Sequence, residues 1–393
     1  MTEKHPHKMA HTQKRPIIVQ KYGGSSVANI EGIQRVARRI VDSTKSGFSV
    51  VVVVSAMGNK TNELLQLAQQ ISQQPPRREL DLLVSVGERI SMTLLAMAIE
   101  ELGVQARSFT GSQSGIITDT EHISAQIIEV RPYRIEKALH DGYVAIVAGF
   151  QGMSIQKEVT TLGRGGSDTT AVALTAALQA EYCEICSDVD GIYSADPNII
   201  SEAKKITDIN IDDALLLSGA GAKVLQHQAL LYAKEKGISL VANATRLPVG
   251  KGTLIHHKKE TSVPNSVVID DKLLLLKHPK GTLSDPTLQR HTRLISMNQD
   301  LLFQIIDTRN IHGTNIQTIP FSQPVTMITV IGNICLQIVY QRTEILNSND
   351  VIFWQYQDTT LFVCVEPTGA INIANQLHSL CLHDEIQQNK IHS

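Results

Sequence analysis

The sequence predicts a three-layer α/β/α domain with a largely parallel central sheet, followed by a smaller α+β region. Three observations predict it. Strand-like and helix-like segments alternate from residue 16 to residue 245 with glycine turns between them, the pattern a parallel sheet with crossover helices requires. Residues 49–54 read Ser-Val-Val-Val-Val-Val with no polar alternation, as a strand covered on both faces does. The chain has 393 residues, 42% of them hydrophobic and 19% charged, an ordinary globular balance with enough length for two main units.

A net charge of −2 carries no basic bias, so a nucleic-acid partner is not expected. Residues 1–15 hold charges and His5, His7 and His11 but no apolar centre, and read as a disordered tail. No apolar run is expected to approach the ~18 residues of a membrane span, so the chain reads as cytoplasmic with no membrane partner. Five cysteines in so long a chain do not make a disulfide framework. Cys183 and Cys186 form a CxxC within a strand-like run, where positions three apart point to opposite faces. With no second CxxC to complete a four-ligand site, they read as buried strand thiols.

The elements follow in order. Residues 16–21 form a strand that ends at Lys21, then Gly23-Gly24-Ser25-Ser26 turns into a helix with Ile30, Ile33, Val36, Ala37, Ile40 and Val41 on one face and Gly47 at its end. Glycines after a strand end let backbone wrap a phosphate, and a lysine there can neutralise a phosphoryl group; a solvated lysine beside a turn is the alternative. The valine strand ends in Ser55-Ala56-Met57-Gly58, which puts Ser55 at a carboxyl end, where open α/β sheets bind ligands. Helices are expected over 61–73 and, past Pro75-Pro76, over 79–102. The second contains Ser85-Val86-Gly87-Glu88-Arg89, and its glycine costs ~1 kcal/mol of helix stability, which points to a packing or ligand reason. Strands are expected over 104–109, 125–130, 143–149 and 182–187. Next come a turn-rich crossover over 187–198 and a helix over 219–237 with Lys223 near its start, within reach of a nucleotide phosphate. Asp188, Asp190 and Asp196 also fit plain turn positions.

The stretch 160–178, TTLGRGGSDTTAVALTAAL, carries the densest chemistry. Gly163, Gly165 and Gly166 permit close backbone approach and positive φ, and Ser167 or Asp168 is expected to cap the helix that follows. The free amides of that helix start attract an anion. Arg164 offers a planar fork for a carboxylate or phosphate, and Asp168 an acceptor for an ammonium group or a partner for a metal-bound phosphate. The loop has neither a Gly-Lys-Ser/Thr nor a GxGxxG pattern.

Taken together, KYGGSSVA (21–28), VVVVSAMG (51–58), SVGERIS (85–91), TTLGRGGSDTTAVAL, SDVDGIYSADP (187–197) and GAKVL (221–225) stand in the order found in aspartate kinases, and the chain resembles that family over roughly residues 16–255. It looks most like the short bacterial form. The resemblance implies an amino-acid-kinase fold over 16–263, an ACT-like, ferredoxin-like regulatory region over 264–393, and transfer of the ATP γ-phosphoryl group to the side-chain carboxylate of L-aspartate. The product is 4-phospho-L-aspartate, the first intermediate toward lysine, threonine and methionine. It further implies that Arg164 clamps the substrate α-carboxylate, Glu88 its ammonium group, and that Ser55 positions the side chain, with Gly165, Gly166 and Ser167 also on the substrate side. Lys21 with Gly23, Gly24 and Ser25 would hold the transferring phosphoryl group, with Asp168 organising Lys21. Ser187, Asp188, Tyr193, Asn198, Lys223 and Val224 match nucleotide-side positions, and Mg²⁺ would accompany ATP.

Departures fall on the nucleotide side. Asn198 replaces an arginine usual after Asp-Pro, Gln226-His227-Gln228 replaces His-Pro-Arg, and Val241-Ala242-Asn243-Ala244-Thr245 replaces a VRS(S/T)F strand. In the C-terminal region a strand over 273–276, a helix over 300–311, strands over 315–319, 325–331, 351–355 and 361–365, and a helix over 370–382 are expected. The Pro-Gly effector loop of relatives is hard to recognise in LKHPKGTLSDP (276–286), which predicts weak or absent inhibition by lysine or threonine. Exposed sheet edges in such regions pair between subunits, so a homodimer is expected by resemblance.

Overall fold

The computed structural model describes residues 15–222, 225–258, 265–279, 291–297, 301–309 and 322–391. The reading of 1–15 as a disordered tail, the strand over 315–319 and the effector-loop segment lie outside these residues, apart from Arg15 and residues 276–279.

The chain folds as two compact units, the first running to Asp190 and including Glu235–Lys251, the second comprising Gly191–Lys234 and the remainder from Gly252. In the first unit β1 (Ile17–Tyr22) leads through the glycine turn into α1 (Ile30–Lys45), and β2 (Ser49–Val54) follows. Asn29 caps α1 by accepting from the Gly32 amide at 2.9 Å. Next come α2 (Lys60–Ile71), α3 (Arg77–Val84), α4 (Val86–Glu101), β3 (Ala106–Phe109), β4 (Ile116–Thr118) and β5 (Ile127–Val130). The unit continues with α5 (Tyr133–His140), β6 (Val144–Ala148), β7 (Gln151–Ser154), β8 (Val159–Thr161), α6 (Gly166–Leu178) and β9 (Cys183–Ser187).

Its main sheet runs in the order Leu240–Ala244, β9, β1, β2, β6, β3, all parallel. β2 lies between β1 and β6, and Val50 to Val54 are all buried, as the unbroken valine run predicts. Each such valine contributes about 1.5–3 kcal/mol of burial. Ile33, Val36, Ala37, Ile40 and Val41 of α1 and Met92, Leu95 and Ile99 of α4 pack on one face of this sheet, and α5 and α6 cover the other. Strands β5, β4, β7 and β8 form a second, mixed sheet. Of these, β4, β7 and β8 are three or four residues long, too short for a periodicity to show in sequence.

The helical expectations of this unit need correction. The helix expected over 79–102 is two helices broken at Ser85, where α3 ends and α4 begins. The whole stretch Arg77–Glu101 is long and apolar enough to cross a membrane by length and composition, contrary to the expectation of no such run. It carries Glu88 and Arg89, and its α4 part packs against the main sheet through Met92, Leu95 and Ile99. Ser167 and Asp168 do not cap α6: the N-cap is Gly165, at φ 79°, and both residues lie in the first helical turn, where their side chains face inward.

The second unit holds a parallel pair, Asp208–Asn210 with Thr253–His256, an antiparallel pair, Ile192–Tyr193 with Lys205–Ile206, and the helices Ile211–Ala220 and His227–Lys236. A single helix over 219–237 is therefore wrong: the first helix stops at Gly221, whose φ of 110° suits glycine, and the next starts only at His227. The C-terminal sheet is antiparallel throughout, in the order Thr292–Met297, Leu301–Asp307, Ser266–Pro279, Ser322–Ile331, Thr360–Val365, Val351–Gln357. Helices Ile334–Gln341 and Ala370–Ile391 pack on it through Ile334, Ile338, Ile373, Ala374 and Leu377. This is the ACT-like α+β arrangement expected. Leu301–Asp307 is a strand, not part of a helix over 300–311, because pairing on both its sides overrides the helical spacing of its apolar residues.

Candidate active site

The carboxyl ends of β1, β2 and β9 and the starts of α4 and α6 gather most of the expected residues. Lys21 stands one residue before the end of β1, and its Nζ lies 2.6 Å from Asp168 Oδ1 in the first turn of α6. Both side chains are largely buried, at 13% and 7% exposure, so the pair is formed away from bulk screening. The turn after β1 and the turn after β2 lie backbone to backbone, with Gly58 N donating to Gly24 O at 3.1 Å and Ser55 N to Tyr22 O at 3.1 Å. Gly23 N donates to Cys186 O at 3.3 Å, tying the same turn to β9, while Ser25 is exposed.

Glu88 is buried, at 3% exposure. Its Oε1 accepts the Ala56 amide at 3.2 Å, and its Oε2 has no partner. Burial pushes the carboxyl up to about 7, against the pull of backbone hydrogen bonds from Glu88 and Ala56. The glycine before it has a packing reason: a Cβ on Gly87 would stand 2.7 Å from the Ala56 Cβ, so only glycine lets the start of α4 approach the turn after β2.

Arg164 is exposed on a turn between two left-handed glycines, Gly163 at φ 72° and Gly165 at φ 79°, and its guanidinium has no ion pair among the described residues. Gly166 and Ser167 are buried, the Ser167 side chain lying where a Cβ on Gly149 would intrude. Ser187 ends β9, with its hydroxyl accepting from Val189 N at 3.1 Å and its carbonyl accepting from Thr245 N at 2.9 Å. Asp188 is exposed, and Arg246 donates to its carbonyl at 3.0 Å.

Tyr193 and Asn198 belong to the second unit. The Asn198 backbone N and its side-chain Nδ2 both donate to Asp196 Oδ1, at 2.9 and 3.0 Å, so its amide is engaged in its own turn. Lys223 and Val224 lie outside the described residues.

Sequence reasoning missed the cluster beneath the site. Arg39 of α1 forms a bidentate pair with Glu184 of β9, both contacts at 2.9 Å, and donates to Leu247 O at 2.9 Å. Glu184 also accepts from Gln20 at 2.9 Å, Asn243 at 2.8 Å and the Gly250 amide at 3.0 Å. Burial pushes the Glu184 carboxyl up, but the hydrogen bonds and charge of Arg39, with Asn243, hold it below the usual carboxylate range. Asn243, one of the departures from the resemblance, is therefore a satisfied buried group. The available signal was a glutamate inside a strand covered on both faces, which demands a partner. Cys183 and Cys186 flank it as buried free thiols, and burial pushes Cys183 up to about 12, so the strand reading of the CxxC holds.

This arrangement can take an anion at the start of α6 beside Lys21 and a cation at the free oxygen of Glu88. Residues 16–241 match the amino acid kinase family. An aspartokinase of Mycobacterium tuberculosis is 58% identical over 223 residues, which cover 56% of this chain and 53% of that protein, so the chain spans about half the length of the curated relatives it matches. Among solved structures, Escherichia coli aspartokinase III in complex with aspartate and ADP is similar with a TM-score of 0.76 at 25% identity, over 93% of this chain and 99% of that one. The aspartate kinase of Synechocystis is 31% identical with a TM-score of 0.56, over 93% of this chain and 69% of that one. On its matched domain, its fold and these likenesses, the chain belongs to the amino acid kinase family and, within it, to the aspartokinases.

Proposed function

We propose that the chain transfers the γ-phosphoryl group of ATP to the side-chain carboxylate of L-aspartate, forming 4-phospho-L-aspartate. The observation that carries this reading is the buried Lys21–Asp168 pair at 2.6 Å, set at the first turn of α6. A carboxylate is already nucleophilic at neutral pH, so catalysis needs alignment and neutralisation of spreading charge rather than a strong base. Lys21 supplies the charge and Asp168 orients it. The free oxygen of Glu88 takes the substrate ammonium, the unpaired guanidinium of Arg164 its α-carboxylate, and Ser55 with the amides of Gly165, Gly166 and Ser167 aligns the acceptor. Gly23, Gly24 and Ser25 line the phosphoryl path. Ser187, Asp188, Tyr193, Asn198, Lys223 and Val224 serve the nucleotide.

Among the described residues no group of three or more His, Cys, Asp or Glu is arranged to hold a metal ion. Mg²⁺ would accompany the nucleotide, where it would neutralise charge on the phosphates. The edge strands Thr292–Met297 and Val351–Gln357 support a homodimer through the C-terminal region, whose ACT-like sheet also suits an amino-acid effector. A cytoplasmic location is supported by the packing of Met92, Leu95 and Ile99 of the long apolar stretch in the core of the first unit.

A second reading, an amino-acid-binding regulatory subunit with a decayed ATP side, is favoured by Asn198, whose donors are turned to Asp196. ADP release with Mg²⁺-ATP across L-aspartate, L-glutamate and their N-acetyl forms separates the readings. Turnover with L-aspartate alone supports the kinase, preference for L-glutamate assigns another acidic acceptor, and aspartate binding without ADP release supports the regulatory subunit.

A further inference from the structure

Asp81 on α3 has no solvent exposure, and its carboxylate gathers three residues far from it in sequence. The Thr161 hydroxyl donates to Oδ1, the Ile123 amide donates to Oδ1 at 3.1 Å and to Oδ2 at 3.2 Å, and His122 Nδ1 lies 2.6 Å from Oδ2. Ile123 has φ 75°. A β-branched side chain is a steric outlier in that left-handed region and stays there only where its surroundings hold it. The restraint visible at Ile123 is the Asp81 carboxylate on its amide.

What Ile123 supports is the turn that carries Arg164. A Cβ on Gly163 would lie 3.2 Å from the Ile123 carbonyl oxygen, and Ala125 N donates to Thr161 O at 2.9 Å. On the other side Leu162 N donates to Phe150 O at 2.9 Å. Asp81 thus fixes the turn twice, directly through Thr161 and indirectly through the backbone of Ile123. Arg164 itself is exposed and makes no ion pair among the described residues, so its aim depends on the backbone beneath it.

We propose that Asp81 is a positioning residue: by holding Ile123 in its left-handed conformation and bonding Thr161, it aims the Arg164 turn and so sets affinity for the carboxylate-bearing substrate. The proposal rests on the reading of Arg164 as the carboxylate clamp. A misplacement of about 1 Å in such a clamp costs up to about a hundredfold.

The test compares Asp81→Ala with Asp81→Ala/Ile123→Gly in the full chain. Two readouts are taken: the KM values for L-aspartate and ATP with kcat, and the rate of tryptic cleavage after Arg164 followed by mass spectrometry. Asp81→Ala should raise the aspartate KM by about tenfold to a hundredfold, leave the ATP KM and kcat within about twofold, and speed cleavage after Arg164 by about tenfold. Adding Ile123→Gly should recover part of both losses, because glycine adopts a positive φ at no steric cost while the bond to Thr161 stays lost. General structural damage would move the ATP KM as well and would not be repaired by removing a second side chain. If Asp81→Ala does not fold, Asp81→Asn replaces it, its single acceptor oxygen giving the same split at smaller size. An unchanged aspartate KM with unchanged cleavage, or no recovery with Ile123→Gly, overturns the proposal. If the wild-type chain shows no aspartate-dependent turnover, the clamp reading of Arg164 fails. The cleavage rates then decide whether Asp81 holds the turn: faster cleavage upholds it, and an unchanged rate overturns it.

Discussion

Replacing Glu88 with glutamine should stabilise the protein at alkaline pH while weakening aspartate binding, and both effects can be sized from the site. The buried carboxyl titrates near 7 against 4.5 when exposed. Below about pH 4.5 both the folded and unfolded chains hold the proton, and Glu88 costs nothing. As pH rises from there toward 7 the unfolded chain releases the proton first, so stability falls across that window and stays lowered above it. At 1.36 kcal/mol per pH unit the full cost is about 3 kcal/mol. Glutamine keeps the acceptor for the Ala56 amide and removes the charge, so Glu88→Gln should match wild type in urea unfolding at pH 4.5 and exceed it by about 2–3 kcal/mol at pH 8. It should also lose the partner of the substrate ammonium, a charge-assisted bond of about 1.5–3 kcal/mol, and raise the aspartate Kd by roughly ten- to a hundredfold. In wild type the aspartate Kd should improve with rising pH up to about 7 and then level off, as the free carboxylate becomes the populated form. Equal stability differences at the two pH values would refute the buried, raised titration. An unchanged aspartate Kd would refute the ammonium role.

Lys21→Ala should lower kcat by at least about a hundredfold with modest change in either KM, and wild-type turnover in that variant would remove the phosphoryl role from Lys21. Arg164→Ala should chiefly raise the aspartate KM in the same ADP-release assay, and an unchanged value would remove the clamp. Asn198→Arg should tighten ATP binding by calorimetry by roughly one to two powers of ten, leaving aspartate affinity alone, since a charge-assisted bond of about 1.5–3 kcal/mol is restored; equal ATP affinities would show a rebuilt pocket. Arg39→Ala should destabilise the chain by about 3–5 kcal/mol in urea unfolding because it strands the Glu184 carboxylate, and a loss below about 1 kcal/mol would mean the pair is dispensable.

The parts of the fold legible in the sequence are those fixed by local pattern. The valine run announced a doubly covered strand, and the glycine turn after Lys21 announced the strand-to-helix crossover, since each signal sits within a few residues. Leu301–Asp307 was misread because a short apolar run satisfies helical and strand spacing alike, and only its two neighbouring strands decide. The break at Ser85 was hidden because apolar residues run through it, Leu82, Leu83 and Val84 before it and Val86 after it. In the candidate site, the close approach at Gly87 was foreseeable from the helical cost of glycine, while the 2.6 Å contact of Asp168 with Lys21 joins residues that no local window contains. The cap of α6 was misassigned because Gly165 reaches the left-handed region and starts the helix earlier than a side-chain cap would. Asp81 and the Arg39–Glu184 pair were invisible, because their partners stand at residues 122, 123 and 161, or at 184 and 243, and no local window contains both ends.

The central claim, that phosphoryl transfer ends on the side-chain carboxylate of aspartate, is tested most directly by trapping the product. Hydroxylamine converts an acyl phosphate to a hydroxamate, so incubation with Mg²⁺-ATP, L-aspartate and hydroxylamine should give aspartate β-hydroxamate in step with ADP, and none when either substrate is omitted. ADP release without hydroxamate, or a larger hydroxamate yield from L-glutamate, would contradict it.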